Sequence, residues 1–164
     1  LYNHEDLQDP SSVKSHTGYV ILVGGCPIIW LSKLQTEITL STMEAEYVAC
    51  STVCRALIPL RELVIELATT AVKIPADDIA KMHTTIWEDN MGALILSKLE
   101  LPRMTPRSKH YALKYHWFCT QFNPNNISIK PITTTEQLAD IFTKGLRCIL
   151  FEQMSFQVYG LVVY

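Results

Sequence analysis

The sequence predicts a mixed α/β fold in a single domain of residues 1–164. The chain has 164 residues, a length typical of one domain that can bury a sizeable core. Apolar residues make up 48% and charged residues 18%, which is the composition of a globular protein rather than a disordered or fibrous one. Strand-type and helix-type segments alternate along the chain, and this order predicts a mixed sheet with flanking helices.

Two strand-type runs open the predicted fold. Residues 17–23 and 26–34 are rich in β-branched and aromatic side chains, and the pair Gly24-Gly25 separates them. Because a glycine pair between two such runs favours a tight turn, this segment is predicted to be a β-hairpin.

A long helix is predicted after the hairpin. Apolar residues recur every three or four positions through residues 43–58, which is the period of one helical face. Ser41 or Thr42 can cap its first turn. Pro59 has no amide hydrogen, so we expect it to kink or split the helix before residues 60–67 continue it.

Strands and helices continue to alternate in the second half. A linker leads to a buried strand at residues 84–88, which a short helix at 91–99 follows. A basic loop framed by two prolines then leads to a helix at 109–122. The remaining predicted elements are a strand at 127–132, a helix capped by residues 133–135 and running to Gly145, and a C-terminal helix and tail at 147–164.

Charge and cysteine content exclude several classes of protein. Fourteen Lys and Arg against 16 Asp and Glu give a net charge of −2, so a strongly basic nucleic-acid-binding protein is excluded. Five cysteines without a C-x-x-C pair indicate neither a disulfide framework nor a zinc ribbon, and they fit a reducing intracellular compartment. No apolar run is long enough for a transmembrane helix, so we expect no membrane partner.

Two of the cysteines have a second interpretation. Cys50 and Cys54 lie four residues apart on the predicted helix and could bind a metal together with His110 and His116. Small residues of the core are the simpler interpretation, and we prefer it.

Three carboxylates stand where predicted elements begin or end. Asp89 follows the strand at 84–88, Asp140 lies one turn into a capped helix, and Glu46 lies in the first turns of the long helix. Hard cations take oxygen ligands, so the three side chains could converge on such a cation at one sheet edge. Each also has a simpler explanation as a surface residue, a favourable charge near a helix start or part of a turn.

Four ordered motifs resemble those of one family. They are HTGYVILVGGCPIIWLSKLQTEITLSTMEAEYVAC, WEDNMGALILSK, PRSKHYALKYHWF and ITTTEQLADIFTKGL, and together they cover most of the chain. They resemble the ribonuclease H domain at the carboxyl end of copia-type retrotransposon polyproteins. The resemblance implies a ribonuclease H-like fold, in which helices flank a mixed five-stranded sheet.

The resemblance also implies a nuclease that uses two metal ions. Domains of this family hydrolyse the RNA strand of an RNA–DNA hybrid, and an Asp, Glu, Asp, Asp set binds two Mg²⁺ ions, with Mn²⁺ as a possible substitute. Motif by motif, the catalytic and metal-binding carboxylates are Glu46, Asp89 and Asp140. The residues predicted to contact the substrate are Asn90, Arg107, Lys109 and His110. The basic residues among them are explained equally well as a solvated loop.

The first carboxylate of the family pattern is replaced in this chain. Copia-type domains open with a strand that ends in D-A-D, whereas the residue in register here is His4, or Asn3 without a gap. Asp6 lies two residues from His4, on the same face of a strand, and is the candidate fourth catalytic and metal-binding carboxylate. Because Mg²⁺ prefers oxygen ligands and this first strand is truncated, we expect impaired activity.

Three functional hypotheses follow from these residues. The chain is an impaired hybrid nuclease, a catalytically inactive retroelement remnant, or a structural connection domain of a reverse transcriptase. The resemblance implies an RNA–DNA hybrid and an upstream reverse transcriptase of the same polyprotein as partners. It also implies an intracellular location, which is cytoplasmic and within a virus-like particle in an intact element.

Overall fold

Strands and helices alternate along the chain, which confirms the predicted mixed α/β class. The computed structural model describes residues 14–36, 38–98 and 116–159. Its strands are β1 (His16–Val23), β2 (Cys26–Leu34), β3 (Thr84–Glu88) and β4 (Ile127–Pro131). Its α-helices are α1 (Thr42–Leu67), α2 (Ala76–Ala80), α3 (Met91–Lys98) and α4 (Cys148–Tyr159). A π-helical segment spans Ala68–Val72, and 3-10 helices span His116–Gln121 and Leu138–Phe142.

The contacts within the chain define two compact units. The first unit contains the hairpin of β1 and β2, the start of α1 up to Ala49, and the chain from Thr133 onward. The second unit is Cys50–Ile132. The predicted first strand falls outside the described residues, so the organisation of residues 1–164 as one domain stays a prediction.

The hairpin of the first unit confirms the predicted tight turn. β1 and β2 pair antiparallel from His16↔Leu34 to Val23↔Cys26, with a bulge between Ile21 and Leu22. The two glycines of the turn have φ angles of 59° and 84°, a backbone conformation that glycine adopts without strain. The glycine pair therefore fixes where the strands reverse direction.

The second unit is built on a parallel strand pair. β3 runs parallel to β4, from Thr84↔Ile127 to Glu88↔Pro131. Parallel strands need a long crossover connection, and α3 and the 3-10 helix His116–Gln121 lie between them in the sequence. The buried core of this unit includes Ile86, Leu94, Phe118 and Ile129.

The sheet differs from the predicted one. Within the described ranges, four strands form two two-stranded sheets, and a single five-stranded sheet is not observed. The hairpin and the parallel pair belong to different units, and the predicted first strand lies at the amino end, outside the described residues. The physical reason is that a sheet grows only when a further strand hydrogen-bonds to an edge, and within the described residues neither pair has a third strand at its edge.

The long helix continues through its proline. α1 contains Pro59 and runs unbroken from Thr42 to Leu67. Of the two predicted effects of Pro59, a kink or a split, the split is therefore wrong, and the kink stays a prediction. Pro59 is exposed, and at an exposed position water can satisfy the carbonyl that loses its amide donor. Of the helices in the described part of the chain, none combines the length and the apolar character needed to cross a membrane.

Within the described residues, two of the predicted helices are 3-10 helices. The described end of the helix predicted at 109–122 is the 3-10 helix His116–Gln121. The helix predicted to reach Gly145 is reduced to the 3-10 helix Leu138–Phe142, because Gln137 adopts an extended conformation with φ −72° and ψ 96°. The threonines before it close a separate turn, in which Thr133 Oγ1 lies 2.6 Å from Glu136 Oε2.

Candidate functional site

Glu46 lies on α1 just after its first turn, and that turn is capped. Ser41 Oγ accepts the backbone N–H of Glu44 at 3.2 Å, and Glu44 Oε2 accepts the N–H of Leu40 at 2.9 Å. Of the two predicted capping residues, Ser41 and Thr42, Ser41 is therefore the one that caps the helix. Glu44 is buried and Glu46 is half-buried, so the cap fixes the start of the helix that presents Glu46.

A buried glutamine connects the hairpin to the start of α1. Gln35 Nε2 donates hydrogen bonds to Thr17 Oγ1 at 3.0 Å and to the carbonyl oxygen of Ala45 at 2.9 Å. Its Oε1 atom is buried without a hydrogen-bond partner. The amide therefore holds the residue that precedes Glu46 against β1. Nothing in the periodicity of the sequence singled out Gln35.

Asp140 is a buried carboxylate that already holds a cation. It lies in the 3-10 helix Leu138–Phe142, and the residue is 5% exposed. The Nζ atom of Lys144 lies 2.8 Å from its Oδ1 and 2.9 Å from its Oδ2. Because a buried charge is costly unless it is paired, this ammonium group offsets the desolvation of the carboxylate.

Gly18 lets β1 approach the segment that carries Asp140. A Cβ atom on Gly18 would overlap the Cγ2 methyl of Thr143 and would lie 3.0 Å from Phe142 Cβ and 3.1 Å from the Ala139 carbonyl oxygen. On the neighbouring strand, Ser32 Oγ donates a hydrogen bond to the Phe142 carbonyl oxygen at 2.6 Å. Both strands of the hairpin therefore hold the Asp140 segment in place.

Asp89 lies in the second unit, directly after β3, between two anchored neighbours. Glu88 Oε1 accepts the backbone N–H of Asn90 at 2.9 Å, and Glu88 Oε2 accepts the thiol hydrogen of Cys50 at 3.1 Å. The Ile132 N–H, just beyond β4, donates to the Glu88 carbonyl oxygen at 3.1 Å. These bonds fix the backbone on both sides of Asp89, which is itself half-buried.

Glu88 was not predicted as part of the site. It is 5% exposed, and it shares the buried face of β3 with Ile86, two residues before it. The alternation of a strand carries this information, since residues two apart point to the same face. The signal in the sequence was an acidic residue, Glu88, on the same face of the strand as the apolar Ile86.

Asn90 begins α3 as its N-cap. Its Oδ1 atom accepts the backbone N–H of Ala93 at 3.0 Å, as an N-cap side chain does three residues ahead. This bond uses the side-chain oxygen of Asn90, a residue that was predicted to contact substrate. The contact of Asn90 with a substrate stays a prediction.

Removing this cap is expected to destabilise the protein. We expect Asn90→Ala to lower the free energy of unfolding by about 1 kcal/mol, because Ala93 loses its capping acceptor. The matched variant Asn90→Asp keeps a capping oxygen and should stay within about 0.5 kcal/mol of the parent chain. Urea unfolding monitored by circular dichroism measures both values. Equal losses in the two variants would show that the cap is not what Asn90 contributes.

The two helix cysteines pack as core residues. Cys50 and Cys54 are both buried, and burial, together with the nearby Cys119, raises the pKa of the Cys54 thiol to about 12. Because metals bind the thiolate, a thiol held in its protonated form is a poor ligand. The alternative metal site also needs the side chains of His110 and His116, which lie outside those that the structure describes.

Several predicted site residues fall outside the described ranges. They are Asp6, with the register alternatives Asn3 and His4, and the basic residues Arg107, Lys109 and His110. Their roles stay predictions.

The described site residues are divided between the two units. Glu46 and Asp140 belong to the first unit, and Asp89 and Asn90 belong to the second. Within residues 14–36, 38–98 and 116–159, no group of three or more His, Cys, Asp or Glu side chains is placed to hold a metal ion. Convergence of Glu46, Asp89 and Asp140 on a metal stays a prediction.

Comparison with known proteins finds relatives among transposon polyproteins. The chain is 32% identical over 87% of its length to the retrovirus-related Pol polyprotein from transposon TNT 1-94 of Nicotiana tabacum. It is 31% identical over 90% of its length to the one from transposon RE2 of Arabidopsis thaliana, and 29% identical over 92% to the one from transposon RE1 of that plant. Its homologues are thus Pol polyproteins of copia-type transposons.

The similarity covers a small part of each relative. The chain spans about a tenth of the length of these polyproteins, at 10%, 9% and 10%. No family model matches the chain. No solved structure matches it either.

Proposed function

We propose that the chain is a ribonuclease H-type domain of a copia-type retrotransposon polyprotein. Such a domain hydrolyses the RNA strand of an RNA–DNA hybrid by two-metal catalysis, and the activity here is impaired because His4 stands where the first Asp belongs. The observation that carries the proposal is the position of Asp89, directly after a parallel strand and between two anchored neighbours. An active-site carboxylate must be held in this way to act on a fixed reacting atom.

The pairing of the strands supports the same proposal. In the ribonuclease H fold the first strand occupies the middle of the sheet. The mixed sheet that the resemblance implies combines antiparallel pairing, as in a hairpin, with parallel pairing. The described residues contain such a hairpin in β1 and β2 and such a parallel pair in β3 and β4.

The donor atoms of the proposed site fit Mg²⁺. The residues that would hold it are Asp6, Glu46, Asp89 and Asp140, all with carboxylate oxygens. Asp140 already pairs with a cation, since the Lys144 ammonium group contacts both of its oxygens. When bound, two Mg²⁺ ions neutralise the phosphodiester charge and lower the pKa of the attacking water.

The remaining side chains position these ligands and the substrate. Glu88 and Asn90 anchor the backbone on both sides of Asp89, so that the Cα atom from which its carboxylate extends is held in place. The basic residues Arg107, Lys109 and His110 would contact the hybrid backbone, because phosphates attract a local cationic cluster even in an acidic protein. Selection of the RNA strand would come from its 2′-hydroxyl groups.

The similarity to long polyproteins also supports the proposed partners. The substrate would be an RNA–DNA hybrid, and a reverse transcriptase upstream in the same polyprotein would produce it. The site of action would be intracellular, within a virus-like particle in the cytoplasm.

Metal binding is the direct test of the proposed site. Millimolar Mg²⁺ or Mn²⁺ should raise the melting temperature, since a ligand at ten times its Kd adds about 1.4 kcal/mol to the stability of the folded state. Asp89→Asn should abolish this increment, because it removes a charged ligand. The exposed Asp77 offers a matched control, and Asp77→Asn should keep the increment. An unchanged metal response in Asp89→Asn would show that the ions bind elsewhere.

A further inference from the structure

We propose that Lys144 is the resident counter-cation of Asp140 and competes with the divalent metal for this carboxylate. The inference rests on the proposed function, because it names the group that metal binding must displace. In its metal-free state the chain would use its own ammonium group where the loaded site uses Mg²⁺.

The geometry of the pair supports this role. Lys144 Nζ lies 2.8 Å from one carboxylate oxygen of Asp140 and 2.9 Å from the other, so it covers both atoms that a metal would bind. A lysine that only stabilised a helix surface would need to contact only one of the two carboxylate oxygens. The two-oxygen contact makes simultaneous binding of Lys144 and a metal ion to the same side of the carboxylate unfavourable, because like charges repel at this distance.

The burial of the two partners is unequal. The Asp140 side chain is 8% exposed, whereas that of Lys144 is 47% exposed. Water can therefore solvate the ammonium group when it leaves, but it cannot reach the carboxylate equally well. Because an unpaired buried charge is costly, a cation stabilises the Asp140 carboxylate, and the exposed Lys144 can be exchanged for another cation.

The exchange requires movement of a side chain and not of the backbone. The Asp140 carbonyl oxygen accepts the N–H groups of Thr143 at 3.1 Å and Lys144 at 3.0 Å. These bonds hold the turn that follows the 3-10 helix. The lysine side chain has a flexible stem of four carbons, so its ammonium group can move into solvent while the turn stays formed.

The experiment compares metal affinity in full-length variants. Mn²⁺ binding, measured through the electron paramagnetic resonance signal of the free ion, should be about three to ten times tighter in Lys144→Met than in the parent chain. Tenfold corresponds to 1.4 kcal/mol, a reasonable upper limit for a pair whose lysine is half exposed. Without metal, Lys144→Met should melt at a lower temperature than the parent. Saturating Mn²⁺ should reduce this difference in melting temperature.

Four further variants control the comparison. Lys81→Met removes an equally short lysine–aspartate pair, 2.9 Å to Asp78, that is exposed on both sides, and it should leave Mn²⁺ affinity unchanged. Lys144→Arg keeps the positive charge and should bind Mn²⁺ no more tightly than the parent. Asp140→Asn, added to Lys144→Met, should remove the gain in affinity. Lys144→Gln provides a second neutral variant should the methionine disturb folding.

The outcomes separate this inference from the proposed function. Equal Mn²⁺ affinity in the parent and in Lys144→Met, together with loss of binding in Asp89→Asn, would overturn the role of Lys144 and leave the nuclease proposal standing. Absence of Mn²⁺ binding in the parent and in both neutral variants would overturn both. Binding that appears only when the lysine is neutralised would support strong competition by Lys144.

Discussion

Replacing His4 by aspartate is expected to raise the rate of RNA–DNA hybrid cleavage by about two to four orders of magnitude in Mg²⁺. The parent chain should cleave the hybrid very slowly or not at all. The physical reason is charge: an imidazole in place of a carboxylate would remove one negative charge and one oxygen ligand from the proposed Mg²⁺ site. The measurement is a cleavage time course on a hybrid whose RNA strand is end-labelled.

Two controls define the register and the site. Asn3→Asp restores the acid in the alternative alignment, and Glu46→Gln should abolish whatever activity His4→Asp produces. Robust cleavage by the unmodified chain, equal to that of His4→Asp and abolished by Glu46→Gln, would mean that Asp6 already serves as the fourth ligand. The expectation of impairment would then be wrong.

Gly18→Ala should destabilise the protein by about 1–3 kcal/mol, the usual cost of overpacking. The added methyl group would overlap the Thr143 methyl and would lie 3.0 Å from Phe142 Cβ and 3.1 Å from a carbonyl oxygen. Relief requires β1 and the Asp140 segment to move apart, so the damage reaches a proposed metal ligand. Urea unfolding measures the loss.

A second glycine and a double mutant test this explanation. Gly145 has no neighbour within 4 Å of an added Cβ, so Gly145→Ala should change stability by less than about 0.5 kcal/mol. Thr143→Ser removes the methyl that Gly18→Ala would strike, so the double variant should recover part of the loss. If the changes in free energy of unfolding of the two substitutions are strictly additive, the cost of Gly18→Ala does not come from overlap with the Thr143 methyl.

The elements that could be predicted are those whose conformation depends on residues close together in the sequence. The glycine pair at 24 and 25 determines a turn through its own backbone freedom, and Ser41 determines a helix start through its own side chain. The boundaries of β2 and β3 agree with the prediction for the same reason, since alternating apolar runs end at polar or turn-forming residues. Asp89 and Asn90 could be placed because a strand ends directly before them.

Features that depend on distant partners could not be predicted. Nothing near Gly18 in the sequence indicates that the Asp140 segment packs against it, and nothing near Asp140 indicates that its helix is only a 3-10 helix. Pairing of strands is equally non-local. The resemblance implied a five-stranded sheet, whereas the described residues contain two pairs of strands. The buried Glu88 was missed because a carboxylate beside Asp89 resembles a surface residue until its partners are known.

The first unit is discontinuous, and this has a consequence for the order of folding during synthesis. Its two parts flank the whole of Cys50–Ile132, and the atoms joined by the Ser32–Phe142 hydrogen bond are 110 residues apart in the sequence. A ribosome makes the hairpin first, yet the segment that packs on Gly18 emerges only after the second unit is complete. Until then the hairpin lacks its contacts with residues 139–143, because these contacts close a very long loop. The segment that bears Asp140 can therefore pack against the hairpin only after the second unit has been synthesised.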